Sequence, residues 1–178
     1  MLKGMNVKNG VLFLQSFVEN GSVYIYEPGF RLNGAQEHMI VSELTGIDAK
    51  ELLINYAMNG KMSDKDMQKY ADPYFHGMYA CKLSPLVKEG VIGEIKGVEK
   101  IRRLNDVVGV NPNYENGDTV AGLGTQRQMA ANIFIVAPTI ELLKERVDAV
   151  IGNFLVTDKN GDNMLLMPFD TEIILKEY

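Results

Sequence analysis

Gln15-Ser16-Phe17-Val18-Glu19-Asn20-Gly21-Ser22-Val23-Tyr24-Ile25-Tyr26-Glu27-Pro28-Gly29-Phe30-Arg31 is a stretch that folds back on itself at its middle. The run Gly10–Val18 and the run Val23–Glu27 are rich in β-branched and aromatic residues, the types that suit a pleated, half-buried surface. Between them lies Asn20-Gly21, the strongest short-range signal for a tight hairpin. Residues 11–27 are therefore expected to form an antiparallel hairpin.

A register centred on Asn20-Gly21 brings Gln15 beside Glu27, with Arg31 in the loop just beyond. Two oxygen ligands on neighbouring strands make a hard-cation site of the kind that holds Mg²⁺ against ATP phosphates. An Arg close by neutralises a phosphate or carboxylate bidentately. On spacing alone, a Glu and an Arg four residues apart after a strand read as a solvated surface pair.

Outward from the hairpin, Ala35–Leu44 reads as a short helix stopped by Thr45-Gly46. A second helix is expected over Ala49–Asn59, with Asp48 as N-cap, Glu51 completing a capping-box pattern and Gly60 beyond its end. Lys61–Gly77 is polar, and a short helix starts in Ser63–Asp66. Asp72-Pro73-Tyr74 breaks the pattern and is the best internal boundary. The second half is strands and glycine turns: Tyr79–Leu83, Gly90–Glu94, Val107–Val110, Thr119–Gly122, Ala130–Val136, Asn153–Thr157 and Asn163–Met167. Helices are expected over Val98–Leu104 and, capped by Thr139, over Ile140–Ile151. The fold class is α+β: an antiparallel sheet with packed helices over 1–72, then a small α+β domain over 73–178.

Composition excludes several classes. The 178 residues carry 18 Lys and Arg against 23 Asp and Glu, a net charge of −5 with no basic block, which argues against nucleic-acid and anionic-membrane partners. The longest apolar runs, such as Ile133–Ala137, fall far short of the ~20 residues that span a bilayer. One Cys makes no intramolecular disulfide and no Cys-rich zinc site. With no clean signal-peptide shape at the N-terminus, the expected setting is cytoplasmic.

The order of these features resembles the C-terminal part of an ATP-grasp fold, as in carbamoyl-phosphate synthase, biotin carboxylase and related carboxylate–amine ligases. That pattern is a Gln or Glu on one strand, a hairpin, Glu-x-Asn-x-Arg, a short helix, Thr-Gly-x-Asp and a further helix. This chain shows Gln15, the hairpin, Glu27-x-Gly29-x-Arg31, Thr45-Gly46-Ile47-Asp48 and the capped helix. Gln36-Glu37-His38 is similar to the Gln-Val-Glu-His run of biotin carboxylases, shifted by two residues and lacking the Val. Residues from about 78 to 165 resemble the small domain that follows, through Gly90-Val-Ile-Gly-Glu-Ile-x-Gly-Val-Glu, Asn116-Gly-Asp-Thr-Val and the helix leading to Val156 and Gly161.

The resemblance implies ATP and Mg²⁺ as cofactors, with Gln15 and Glu27 as metal ligands. It implies that Arg31 stabilises an acyl-phosphate or its transition state, and that Glu37 holds or deprotonates a nucleophile. Substrates would be a small-molecule carboxylate and an amine. Gly29 departs from the pattern, because the family has Asn there as a further ligand. Water or Asn33 takes its place, or the metal site is degraded. The variant Glu-x-Gly-Phe-Arg-Leu also resembles ATP-grasp proteins linked to surface-polysaccharide synthesis.

The chain enters a strand pattern already at Val11 and reads as the end of a larger ligase. The family's phosphate-holding lid precedes the Gln strand, so this polypeptide alone is expected to bind ATP weakly or not at all and not to turn over. The alternative is a non-catalytic scaffold or subunit-interaction module. A further possibility is a homodimer formed through an exposed sheet edge. Three other motifs read as structural. Asp158-x-Asn160-x-Asp162 lacks the Gly and Glu of a calcium loop and reads as a hairpin turn. Gly122-Leu-Gly124 is too short for a phosphate loop. Cys81 has His38 and His76 as candidate partners but reads as an inert thiol.

Overall fold

The computed structural model describes residues 4, 6–70, 72, 77–166 and 169–176. The chain divides into two compact units, Met1–Pro73 and Tyr74–Tyr178. Both are mixtures of antiparallel sheet and helix, the α+β class expected.

The first unit opens with a two-stranded antiparallel sheet, β1 (Phe13–Glu19) and β2 (Ser22–Gly29). Asn20 and Gly21 both adopt positive φ, at 48° and 74°, as the two-residue turn demands. Two helices follow, α1 (His38–Thr45) and α2 (Ala49–Asn59). The first begins three residues later than the apolar pattern suggests, because Gln36 sits at φ 65° and cannot be helical. The second has the expected bounds. The Asp48 carboxylate accepts from the Lys50 and Glu51 amides, and Gly60 closes the helix at φ 70° with its N–H on Tyr56 O. The polar segment beyond holds one 3₁₀ turn, Met67–Tyr70, later than the start expected at Ser63–Asp66. The Asp72-Pro73-Tyr74 break lies for the most part outside the described residues.

The second unit has two three-stranded antiparallel sheets. One orders β3 (Tyr79–Leu83), β7 (Ala131–Ala137) and β5 (Val107–Pro112). The other orders β6 (Thr119–Val120), β4 (Gly90–Lys96) and β8 (Leu155–Asp158). The helices are α3 (Val98–Arg102) and α4 (Ile140–Asn153). Every residue of β7 is buried, and its apolar run Ile133–Ala137 reads as a central strand, with the buried Asn132 hydrogen-bonded to Ser84 Oγ and Asn113 Oδ1. Leu143, Val147 and Val150 of α4 are buried with Ile133 and Ile135 in the core. Thr139 Oγ1 caps α4 by accepting from the Leu142 amide. The strand expected over Asn163–Met167 does not form. Asn163 and Leu165 make isolated bridges, to Thr157 and Val87, and residue 167 is outside the described range. All fully buried residues among those described lie in this second unit.

Candidate functional site

A regular ladder from Glu19↔Ser22 through Ser16↔Ile25 would set Tyr26 opposite Gln15 and turn Glu27 to the other face. The register centred on Asn20-Gly21 therefore does not bring Gln15 beside Glu27 as expected; a β-bulge between Gln15 and Ser16 shifts the register by one, and only so does Gln15 pair with Glu27. Tyr26 becomes the extra residue of the bulge. Its hydroxyl donates to Gln15 Oε1 at 2.8 Å, and its ring stacks on Phe17 with centroids 4.7 Å apart. Phe17 and Gln15 share a strand face by the two-residue period. Gln15, Glu27 and Tyr26 therefore converge on one side of the ribbon.

Phe13 lies two residues further along the same face and pairs with Gly29. A Cβ at Gly29 would come within 1.9 Å of the Phe13 ring, so only glycine leaves room for that ring. The Arg31 guanidinium sits over the same ring at 4.9 Å from its centroid, and its Nη1 donates to Leu32 O at 3.0 Å. The missing side chain at 29 is thus the space in which Phe13 packs, and Phe13 carries Arg31 by a cation–π contact. Stacking occupies the face of a guanidinium and leaves its edge for an anion. Phe13 and Tyr26 were not among the residues that sequence reasoning singled out. The alternation of Phe13 with Gln15 was the available signal for Phe13, whereas nothing in the pattern marks the bulge.

Asn33 lies in the loop beyond β2, where its Oδ1 accepts from the Ala35 amide at 2.9 Å. Glu37 stands at the N-cap of α1 without a side-chain capping bond, and its Oε2 is buried. The pairing that joins Gln15 to Glu27 does not extend to either. His38 follows Glu37 with Nε2 buried. Burial holds its imidazole below the ordinary value of 6.5, with Lys50 acting the same way and Asp48 and Glu37 opposing. Among the described residues no three His, Cys, Asp or Glu side chains cluster as a dedicated metal cage. One carboxylate beside one amide oxygen fits a Mg²⁺ that takes its remaining ligands from phosphates and water.

The other motifs are structural. Asp158 Oδ1 accepts from the Asn160 and Asp162 amides at 2.8 and 2.9 Å, closing the turn. Cys81 is free and half-buried on β3, and burial pushes its thiol up, away from the reactive thiolate. His76 lies outside the described residues. No helix among the described residues is long and apolar enough to cross a membrane.

Residues 85–157 match the family model for L-amino acid ligase C-terminal domain 2. In structure, the chain is similar to phosphoribosylglycinamide synthetase from Anaerococcus prevotii, at 15% identity, TM-score 0.68, over 89% of this chain and 39% of that one. It is likewise similar to L-amino acid ligase from Bacillus licheniformis, at 16% identity, TM-score 0.66, over 88% of this chain and 38% of the other. The chain has the fold of the C-terminal part of an ATP-grasp ligase. A third ATP-grasp neighbour is the biotin carboxylase subunit of pyruvate carboxylase, at 20% identity, TM-score 0.53, over 82% of this chain and 31% of that one. The chain thus spans between 31% and 39% of the length of these ATP-grasp structures. No curated protein sequence matches it.

Proposed function

We propose that this chain contributes the metal- and phosphate-binding hairpin of an ATP-dependent carboxylate–amine ligase. The observation that carries the reading is that Gln15, Glu27 and the Phe13 ring beneath Arg31 lie on one face of one β-ribbon. Gln15 Oε1 and the Glu27 carboxylate would hold Mg²⁺, with Asn33 as the third oxygen donor. The metal, when bound, would draw charge off the ATP phosphates during phosphorylation of the carboxylate. Tyr26 fixes the rotamer of Gln15, as outer-shell partners of metal ligands do. Arg31 offers its guanidinium edge to a phosphoryl or acyl-phosphate oxygen. Glu37 is assigned to the amine nucleophile. The match to the L-amino acid ligase family model supports an amino acid as the carboxylate or amine substrate.

With the chain spanning less than two fifths of the aligned ligases, the 178-residue polypeptide alone is expected to bind MgATP weakly and not to turn over. Micromolar affinity in an isothermal titration with MgATP would defeat that expectation. The site itself is tested by titrating Mn²⁺ and following paramagnetic broadening of amide signals. Signals around Gln15 and Glu27 should broaden first, and Glu27→Gln should abolish the effect. The Phe13 ring, lying where a family Asn side chain would project from position 29, favours a second reading as a non-catalytic scaffold. Absence of broadening near Gln15 and Glu27 would establish that reading over the first.

A further inference from the structure

The chain holds six Asn-Gly dipeptides, beginning at Asn9, Asn20, Asn33, Asn59, Asn116 and Asn160. In such a pair the glycine amide nitrogen, unshielded by any side chain, is able to attack the side-chain amide carbon of the asparagine. The fold restrains five of the six. The Gly10 amide donates to Met62 Sδ at 3.1 Å, Gly60 to Tyr56 O at 2.8 Å, Gly117 to Ile92 O at 2.8 Å and Gly161 to Asp158 O at 3.1 Å. Gly21 is held in a two-residue turn clamped by the Glu19↔Ser22 pair.

Asn33-Gly34 differs in the state of its glycine amide. It lies in neither helix nor strand, and among the described residues the Gly34 amide donates to no group. A Cβ on Gly34 would meet nothing within 4 Å, as at Gly21, Gly60, Gly117 and Gly161, so the approach is open and only the engagement of the glycine amide separates the sites. The Ala35 amide already donates to Asn33 Oδ1 at 2.9 Å; Asn116 Oδ1 accepts likewise from the Ile95 amide at 3.0 Å, but there the glycine amide is itself engaged. The bond from Ala35 polarises the carbonyl under attack and stabilises the negative charge that develops on its oxygen, as an oxyanion-hole donor does.

We propose that Asn33-Gly34 is a self-modifying deamidation site, at which the amide of Asn33 is converted to a carboxylate. The Gly34 nitrogen loses its proton to solvent base and bonds to Cγ of Asn33. The Cγ–Nδ2 bond breaks, and Nδ2 leaves as ammonia with a proton from water. The resulting succinimide is opened by water at either carbonyl, giving aspartate or isoaspartate at position 33. Water enters, ammonia leaves, and nothing is oxidised. The consequence for cation binding rests on Asn33 being the third oxygen donor, whereas the chemistry does not.

The test is to incubate the full chain in heavy-oxygen water at mildly alkaline pH and locate the label by peptide mass spectrometry. Label should enter at position 33 several-fold faster than at the other five sites. Gly34→Ala, which the open space tolerates, should slow it several-fold, and in strong urea the six sites should converge. Faster labelling elsewhere, equal labelling of all six in the folded chain, or indifference to Gly34→Ala would overturn the proposal. Mn²⁺ broadening with Asn33→Asp is read separately. If label enters at 33 and Asn33→Asp leaves Mn²⁺ binding unchanged, deamidation stands and the ligand role of Asn33 falls.

Discussion

Gly29 and Phe13 depend on one another. A Cβ at 29 collides with the Phe13 ring, so Gly29→Ala should destabilise the hairpin in the native background. In a Phe13→Ala background the same change should cost little. The double-mutant cycle, read by urea unfolding, should show a coupling of about 0.5–3 kcal/mol. Additive effects would mean that the ring does not hold the position assigned to it. Phe13→Ala alone should release Arg31 and remove a cation–π contact of about 0.5–1 kcal/mol at an exposed site. His38 supplies a pH dependence. Its folded-state value lies below 6.5, so between the two values the unfolded chain binds more protons than the folded one. The stability of the first unit should therefore fall as pH drops through 6.5 and level off below the folded value. His38→Gln should flatten that segment of a plot of unfolding midpoint against pH, and an unchanged slope would exonerate the imidazole.

Individual elements show how unevenly the sequence reveals its structure. The second helix was legible to the residue, because Asp48 and Gly60 supply its cap and stop locally. Strand β7 was legible from the apolar run Ile133–Ala137, because a strand buried on both faces is predominantly apolar. The family-like glycines of β4 and its following turn gain a reason only in the fold. A Cβ at Gly93 would lie 2.2 Å from Asp158 O, and one at Gly97 would lie 1.9 Å from Asn153 O, the end of α4. Gly97 also stands at φ 87°, where a side chain is strained. Gly97→Ala should therefore lower the urea midpoint of the second unit well beyond the ~1 kcal/mol expected of Thr139→Ala at the α4 cap. Equal effects would show that the turn gives way at little cost.

In the molecule as a whole, the fully buried residues among those described lie in one unit. No described residue before position 74 is fully buried, and Phe17, Val18, Val23, Tyr24 and Ile25 of the hairpin are each more than half exposed. A lone two-stranded ribbon is marginal in water, and apolar surface of this kind marks an interaction face or an aggregation liability. Limited proteolysis should cut the first unit while residues 74–178 persist as a core that unfolds cooperatively. Equal protection of both halves would contradict the burial pattern. Hairpin, helices, β7 and the order of motifs were readable from residues alone, because turns, caps and periodicity are local chemistry. The geometry of the candidate site was readable only in outline. Whether Gln15 faces Glu27 or Tyr26 depends on a one-residue bulge, and whether Arg31 shares their face depends on the Phe13 ring filling the space over Gly29. Both are settled by contacts between strands, where a slip of one residue turns every side chain to the opposite face, and no local preference along the chain encodes that choice.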